Sequence, residues 1–145
     1  LLAFFIDRSD TAAQDRAAVG AYNNSVVYIY DTLWTVFGNR SYQYMKKIDK
    51  NNGRQIAAQQ SAEKFINQFN LAMKAIDSFR FNYAAAMSDE VSSDYGLLKS
   101  QLVQFTATLS HPANVDHLID ALDGTRLWLR GWYSTERLKK HFRFI

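Results

Sequence analysis

The sequence predicts an all-α fold, an elongated antiparallel bundle of four to five helices. Apolar residues recur at three- and four-residue steps along most of the chain, the period of a helix with one buried face. Punctuation is sparse, with six glycines and one proline in 145 residues. A protein of many short strands needs more turn formers than that. Hydrophobic residues make up 48% and charged residues 21% of the chain, which suits one sizeable core and is too apolar for disorder.

The elements follow in order. Leu1 to Ile6 are all apolar and stop at Asp7-Arg8-Ser9-Asp10. A span takes about 20 such residues, so 1–9 read as the stub of an anchor or as a leader docked on the core. Asp10 or Thr11 is the expected N-cap of a first helix and Gly38 its stop. Between them Val19, Tyr22, Val26, Ile29, Tyr30, Leu33, Val36 and Phe37 keep helical spacing. Ser41 caps a short helix through Tyr44, Met45 and Ile48, and Lys50 to Gly53 read as a turn.

The clearest helix is expected from Arg54 to Met87. Ala58, Ala62, Phe65, Ile66, Phe69, Ala72, Met73, Ile76, Phe79 and Tyr83 fall within roughly 140° of its wheel. Ser88 with Asp89 and Glu90 starts the next helix, through Val91, Tyr95, Leu98, Leu102, Phe105 and Leu109. Ser110-His111-Pro112 resets the chain. A short helix through Val115, Leu118, Ile119 and Leu122 then closes at Asp123-Gly124. The last segment, Thr125 to Ile145, is expected to be helical, broken at Gly131 and recapped at Ser134. Residues 1–145 make a single domain without repeat or linker.

Several chemistries have no footing in these residues. There is no cysteine, hence no disulfide, thiolate metal site or Cys nucleophile. No GxSxG, P-loop, GxGxxG or HExxH occurs, and Glu63, Glu90 and Glu136 are the only glutamates. The expectation is therefore no catalytic, cofactor-binding or metal-binding residues. Asp116, Asp120 and Asp123 form a carboxylate stripe that reads first as a solvated helix face. Asn23-Asn24-Ser25 and Asn39-Arg40-Ser41 match the glycosylation pattern, which chance also produces at this length.

Charge is +3 overall but concentrated at the C-terminus, where Arg126, Arg130, Arg137, Lys139, Lys140 and Arg143 face Glu136 alone. Trp128, Trp132, Tyr133, Phe142 and Phe144 are interleaved with them. Trp and Arg are the anchors of protein interfaces, so Trp128, Arg130, Trp132, Tyr133, Arg137 and Lys140 are the candidate partner-binding residues. A protein partner or self-association ranks first, a membrane surface second and nucleic acid last. The competing reading is a closing helix that packs its rings and solvates its cations. Arg80 sits inside the apolar face of the longest predicted helix, as a candidate ligand or contact residue, or with its head snorkelling out to water. The leading functional expectation is a non-catalytic interaction or assembly domain, membrane-tethered and extracytoplasmic. The alternatives are an extracytoplasmic ligand-sensing bundle and an enzyme without a readable motif.

Overall fold

The computed structural model describes residues 2–47 and 52–138, and the side chains of 16–47 and 53–137. Five helices account for almost all of them: α1 Leu2–Gly38, α2 Arg40–Lys47, α3 Asn52–Asn82, α4 Asp89–Ser110 and α5 Val115–Leu138. No strand occurs among the described residues. The all-α bundle is what the periodicity predicts.

Pairings between helices give the course of the chain. Thr35 reaches Gln68 and Tyr22 meets Phe79, so α1 and α3 run antiparallel, and Ser41 of α2 reaches Gln60 of α3. Lys99 pairs with Asp77 and Phe105 packs on Trp128, so α4 runs against both α3 and α5. Tyr30 stacks on Tyr133 while Tyr42 reaches Asp123, which sets α5 against α1 and α2. Helix α3 touches every other helix, whereas α1 and α4 meet only through long side chains.

The core follows the predicted stripes. Ile29, Leu33 and Val36 of α1 are fully buried, as are Ala58, Phe65, Ala72 and Ile76 of α3. Val91, Tyr95, Leu98 and Leu102 of α4 and Leu122 and Leu129 of α5 complete it. The buried hydroxyls of Ser61 and Thr125 donate to carbonyls one turn back, Ala57 and Ala121, at 2.9 and 2.7 Å. They thus enter the interior without a desolvation penalty.

Helix ends differ from the sequence expectations in instructive ways. Helix α1 passes through Asp10 and Thr11, because nothing before Gly20 breaks a helix and a cap residue inside one costs little. Gly38 does end α1, but with no positive φ. Asn39, not Ser41, caps α2, its Oδ1 accepting from the Ser41 amide at 3.0 Å. Asn52 and Gly53 lie within α3 rather than in a turn, and Lys50 and Asn51 lie outside the described residues, as does Ile48. Helix α3 ends at Asn82, before Tyr83 to Ala86 turn into α4, rather than at Met87. Ser88 caps α4 as expected, accepting from the Val91 amide at 3.2 Å.

The largest correction concerns α5. It is one helix through both Gly124 and Gly131, with no recapping at Ser134. A glycine costs a helix about 1 kcal/mol relative to alanine. Burying Leu122, Thr125 and Leu129 on either side outweighs that. Asn114 caps α5, its Oδ1 accepting from the His117 amide at 2.8 Å, while His117 Nδ1 accepts from the Ala113 amide at 3.1 Å. Pro112 therefore lies just before the helix rather than in its first turn. Among the described residues no helix is long and apolar enough to cross a membrane.

Candidate functional site

Helix α5 is the element on which the polar and aromatic features converge. On its wheel Leu118, Leu122, Thr125, Leu129 and Glu136 form one stripe, and that stripe is the buried face. The two flanks of the stripe then look toward different neighbours.

At the buried face, Glu136 is only 6% exposed. The Tyr22 hydroxyl donates to its Oε2 at 2.5 Å, joining α1 to α5. Tyr22 also leans on Tyr95 and Phe79, with ring centroids 5.4 and 5.8 Å away, and the Ser25 and Tyr95 hydroxyls hydrogen-bond to each other. Ser25 Oγ also donates to the Tyr22 carbonyl at 2.9 Å. Burial, then the bond to Glu136, drives the Tyr22 hydroxyl well above the ordinary tyrosine range. Burial likewise pushes Tyr95 up to about 12. Both hydroxyls stay protonated at neutral pH and act as donors, not as bases.

The flank facing α1 is basic and ring-rich. Tyr133 stacks on Tyr30 at 3.9 Å between centroids, Tyr30 on Trp34 at 5.2 Å, and Trp34 meets Phe37 edge-on. The Arg137 guanidinium lies 5.6 Å above the Tyr133 ring, and its Nη1 donates to the Tyr133 hydroxyl at 3.0 Å. Arg130 is exposed on the same flank. Lower down, Asp123 accepts from the Tyr42 hydroxyl at 2.6 Å and from Lys46 Nζ at 2.9 Å. Burial would raise the Asp123 carboxyl, but the Tyr42 and Lys46 bonds and the nearby Arg126 charge hold it below the usual value. Burial and the same bond push Tyr42 up to about 12. Asp116 pairs with Arg54, so the carboxylate stripe is divided between two cations rather than gathered at one point.

The flank facing α4 is acidic and aromatic. Trp128 and Trp132 stack with planes 7° apart and centroids 6.5 Å apart, backed by the edge of Phe105. With Leu97, Gly131, Asp94 and Glu136 they line a groove of about 530 Å³. A second open groove of about 470 Å³ lies between α3 and the α4–α5 turn, lined by Gln55, Glu63, Ile66 and Val115 among others.

The structure thus divides the candidates read from the sequence. Trp128 and Trp132 share one flank, whereas Arg130, Tyr133 and Arg137 share the other. All three rings are half-buried and packed on the core, so they are neither wholly core nor free. Lys140 lies outside the described residues. Arg80 is half-buried in the last turn of α3, far enough along the helix for its stem to carry the head toward water. Sequence reasoning missed Tyr22, Ser25, Tyr95 and Glu136. Two signals were available: tyrosines inside apolar stripes, whose hydroxyls require partners, and Glu136 in register with Leu122 and Leu129. No protein-family model, curated protein or solved structure matches this chain.

Proposed function

We propose that this domain is a non-catalytic interaction and assembly module, docking on other protein chains, its own copies first, through the α1-facing flank of α5. The observation that carries the reading is the half-exposed stack of Trp34, Tyr30 and Tyr133 with Arg137 over its end and Arg130 beside it. Rings already ordered by stacking lose little freedom on binding, and Tyr, Trp and Arg dominate the energetics of protein interfaces. Tethering to the outer side of a membrane through the apolar Leu1 to Ile6 segment belongs to the same proposal.

Sedimentation across a wide concentration range tests it. The expected mass rises with concentration, and Arg130→Glu with Arg137→Glu abolishes the rise while leaving the helical spectrum unchanged. A mass that stays monomeric throughout, or association indifferent to the charge reversal, sinks the reading.

A further inference from the structure

The outward ridge of α5 is exposed along its length. Asp120, Gly124, Leu127, Gly131 and Ser134 recur at four- and three-residue steps, opposite the buried Leu118, Leu122, Thr125 and Leu129. All five are exposed, and Leu127 keeps 59% of its surface in water. Charge on this ridge is divided by position: Asp116 and Asp120 lie before Leu127, Arg130 and Arg137 after it. The described ion pairs join Lys46 to Asp123, Arg54 to Asp116 and Lys99 to Asp77, and leave Asp120 and Arg130 out. Helix α5 holds these two charges about 15 Å apart along its axis, too far to meet within one chain.

We propose that this ridge pairs antiparallel with the same ridge of a second copy, about a two-fold axis close to Leu127. The pairing rests on the assembly reading and gives it a partner and an orientation, since Arg130 belongs to the ridge as well as to the flank facing α1. An antiparallel two-fold lays the acidic half of each helix beside the basic half of the other. Asp120 then meets Arg130 of the second copy, twice per dimer. A parallel pair would set like charges side by side. Each Leu127 leaves water against the other ridge near Gly124, where no side chain holds the helices apart. The glycines only permit this approach: neither has a positive φ, and a Cβ built at Gly124 or Gly131 meets nothing within 4 Å. Specificity comes from the charges. One helix pair is a small interface, so the dimer is weak and its population follows concentration.

Charge exchange tests the pairing, read by sedimentation of the full chain. Asp120→Arg and Arg130→Asp each place like charges in contact at two symmetry-related points. Each should weaken self-association by about tenfold or more with an unchanged helical spectrum. Combined in one chain, they restore opposite charges across the axis and should return the dissociation constant to within about threefold of the parent. The chain has no cysteine of its own, so disulfide trapping reads the orientation. Mild oxidation of a mixture of His117→Cys and Ser134→Cys chains should trap the mixed dimer. Neither variant alone should be trapped, because identical positions lie about 25 Å apart in the antiparallel pair. Association that survives the single changes or is not rescued by the double change overturns the pairing and leaves assembly standing. Self-trapping of either cysteine variant, or no mixed product, does the same. A parent chain that stays monomeric overturns both.

Discussion

Tyr22 and Glu136 stand 114 residues apart in sequence and 2.5 Å apart in the fold, hydroxyl to carboxylate. The contact joins the first helix to the last at a level where Phe79 and Tyr95 bring in the other two long helices. Removing the hydroxyl deprives a buried carboxylate of this donor. Tyr22→Phe should therefore destabilise the domain by about 1–3 kcal/mol. Glu136→Leu combined with Tyr22→Phe should cost clearly less than the two single changes together, because the pair leaves as a unit. Urea unfolding of the four proteins measures the coupling, and strict additivity would show that the two side chains do not act as a pair.

Alkaline pH offers a second check. Tyr42 and Tyr95 are held at about 12 in the folded state against 10.0 for an ordinary tyrosine, and Tyr22 higher still. Raised folded values mean that the associated stability is complete below pH 10.0 and is lost as pH rises toward 12. The expected result is a cooperative rise in tyrosinate absorbance that coincides with the loss of helix. Full ionisation of every tyrosine with the helices intact would contradict the buried hydroxyl network.

At the acid end the pair to watch is Tyr42 with Asp123. The Asp123 carboxyl is held below 3.8, so its contribution is present above that pH and disappears as pH falls through the folded value. Asp123→Asn should lower neutral-pH stability by about 1 kcal/mol, the hydroxyl bond counting for most and the exposed Lys46 pair for little. Thermal melts of the variant and the parent should converge in strong acid. A difference that persists unchanged there would assign the effect to packing.

Helical glycines provide a test with the opposite sign. Gly96 and Gly124 lie inside α4 and α5, neither has positive φ, and an added Cβ meets nothing within 4 Å at either. Alanine at each should stabilise by about 0.5–1 kcal/mol, read as a higher melting temperature. If Gly124 instead marked a helix end, as the local sequence suggests, alanine there would destabilise.

How much of this was legible beforehand varies by element. The stripes through Ile29 and Leu33, Phe65 and Ile76, and Leu98 and Leu102 are periodic enough to reveal both helix and buried face. Ser88 with two acids behind it announces α4 unaided. The glycines of α5 misled because a break signal is local and worth about 1 kcal/mol, whereas the burial that overrides it involves other helices. The division of the aromatic, basic C-terminal segment into two flanks was hidden for the same reason. A wheel gives angles around one axis but does not say which neighbour lies at each angle.

The all-α class, the buried faces of the helices, the cap at Ser88 and the concentration of rings and cations near the C-terminus all follow from the sequence by itself. Each depends on residues within a turn or two of one another, and the helical repeat turns spacing directly into direction. Only the tertiary structure decided that Glu136 is buried against Tyr22, that Asp123 is shared by Tyr42 and Lys46, and that Trp128 and Trp132 line a groove with Asp94. Those relationships join positions far apart in the chain, and they exist because the helices are packed at one particular rotation and height. Local spacing carries no record of that choice.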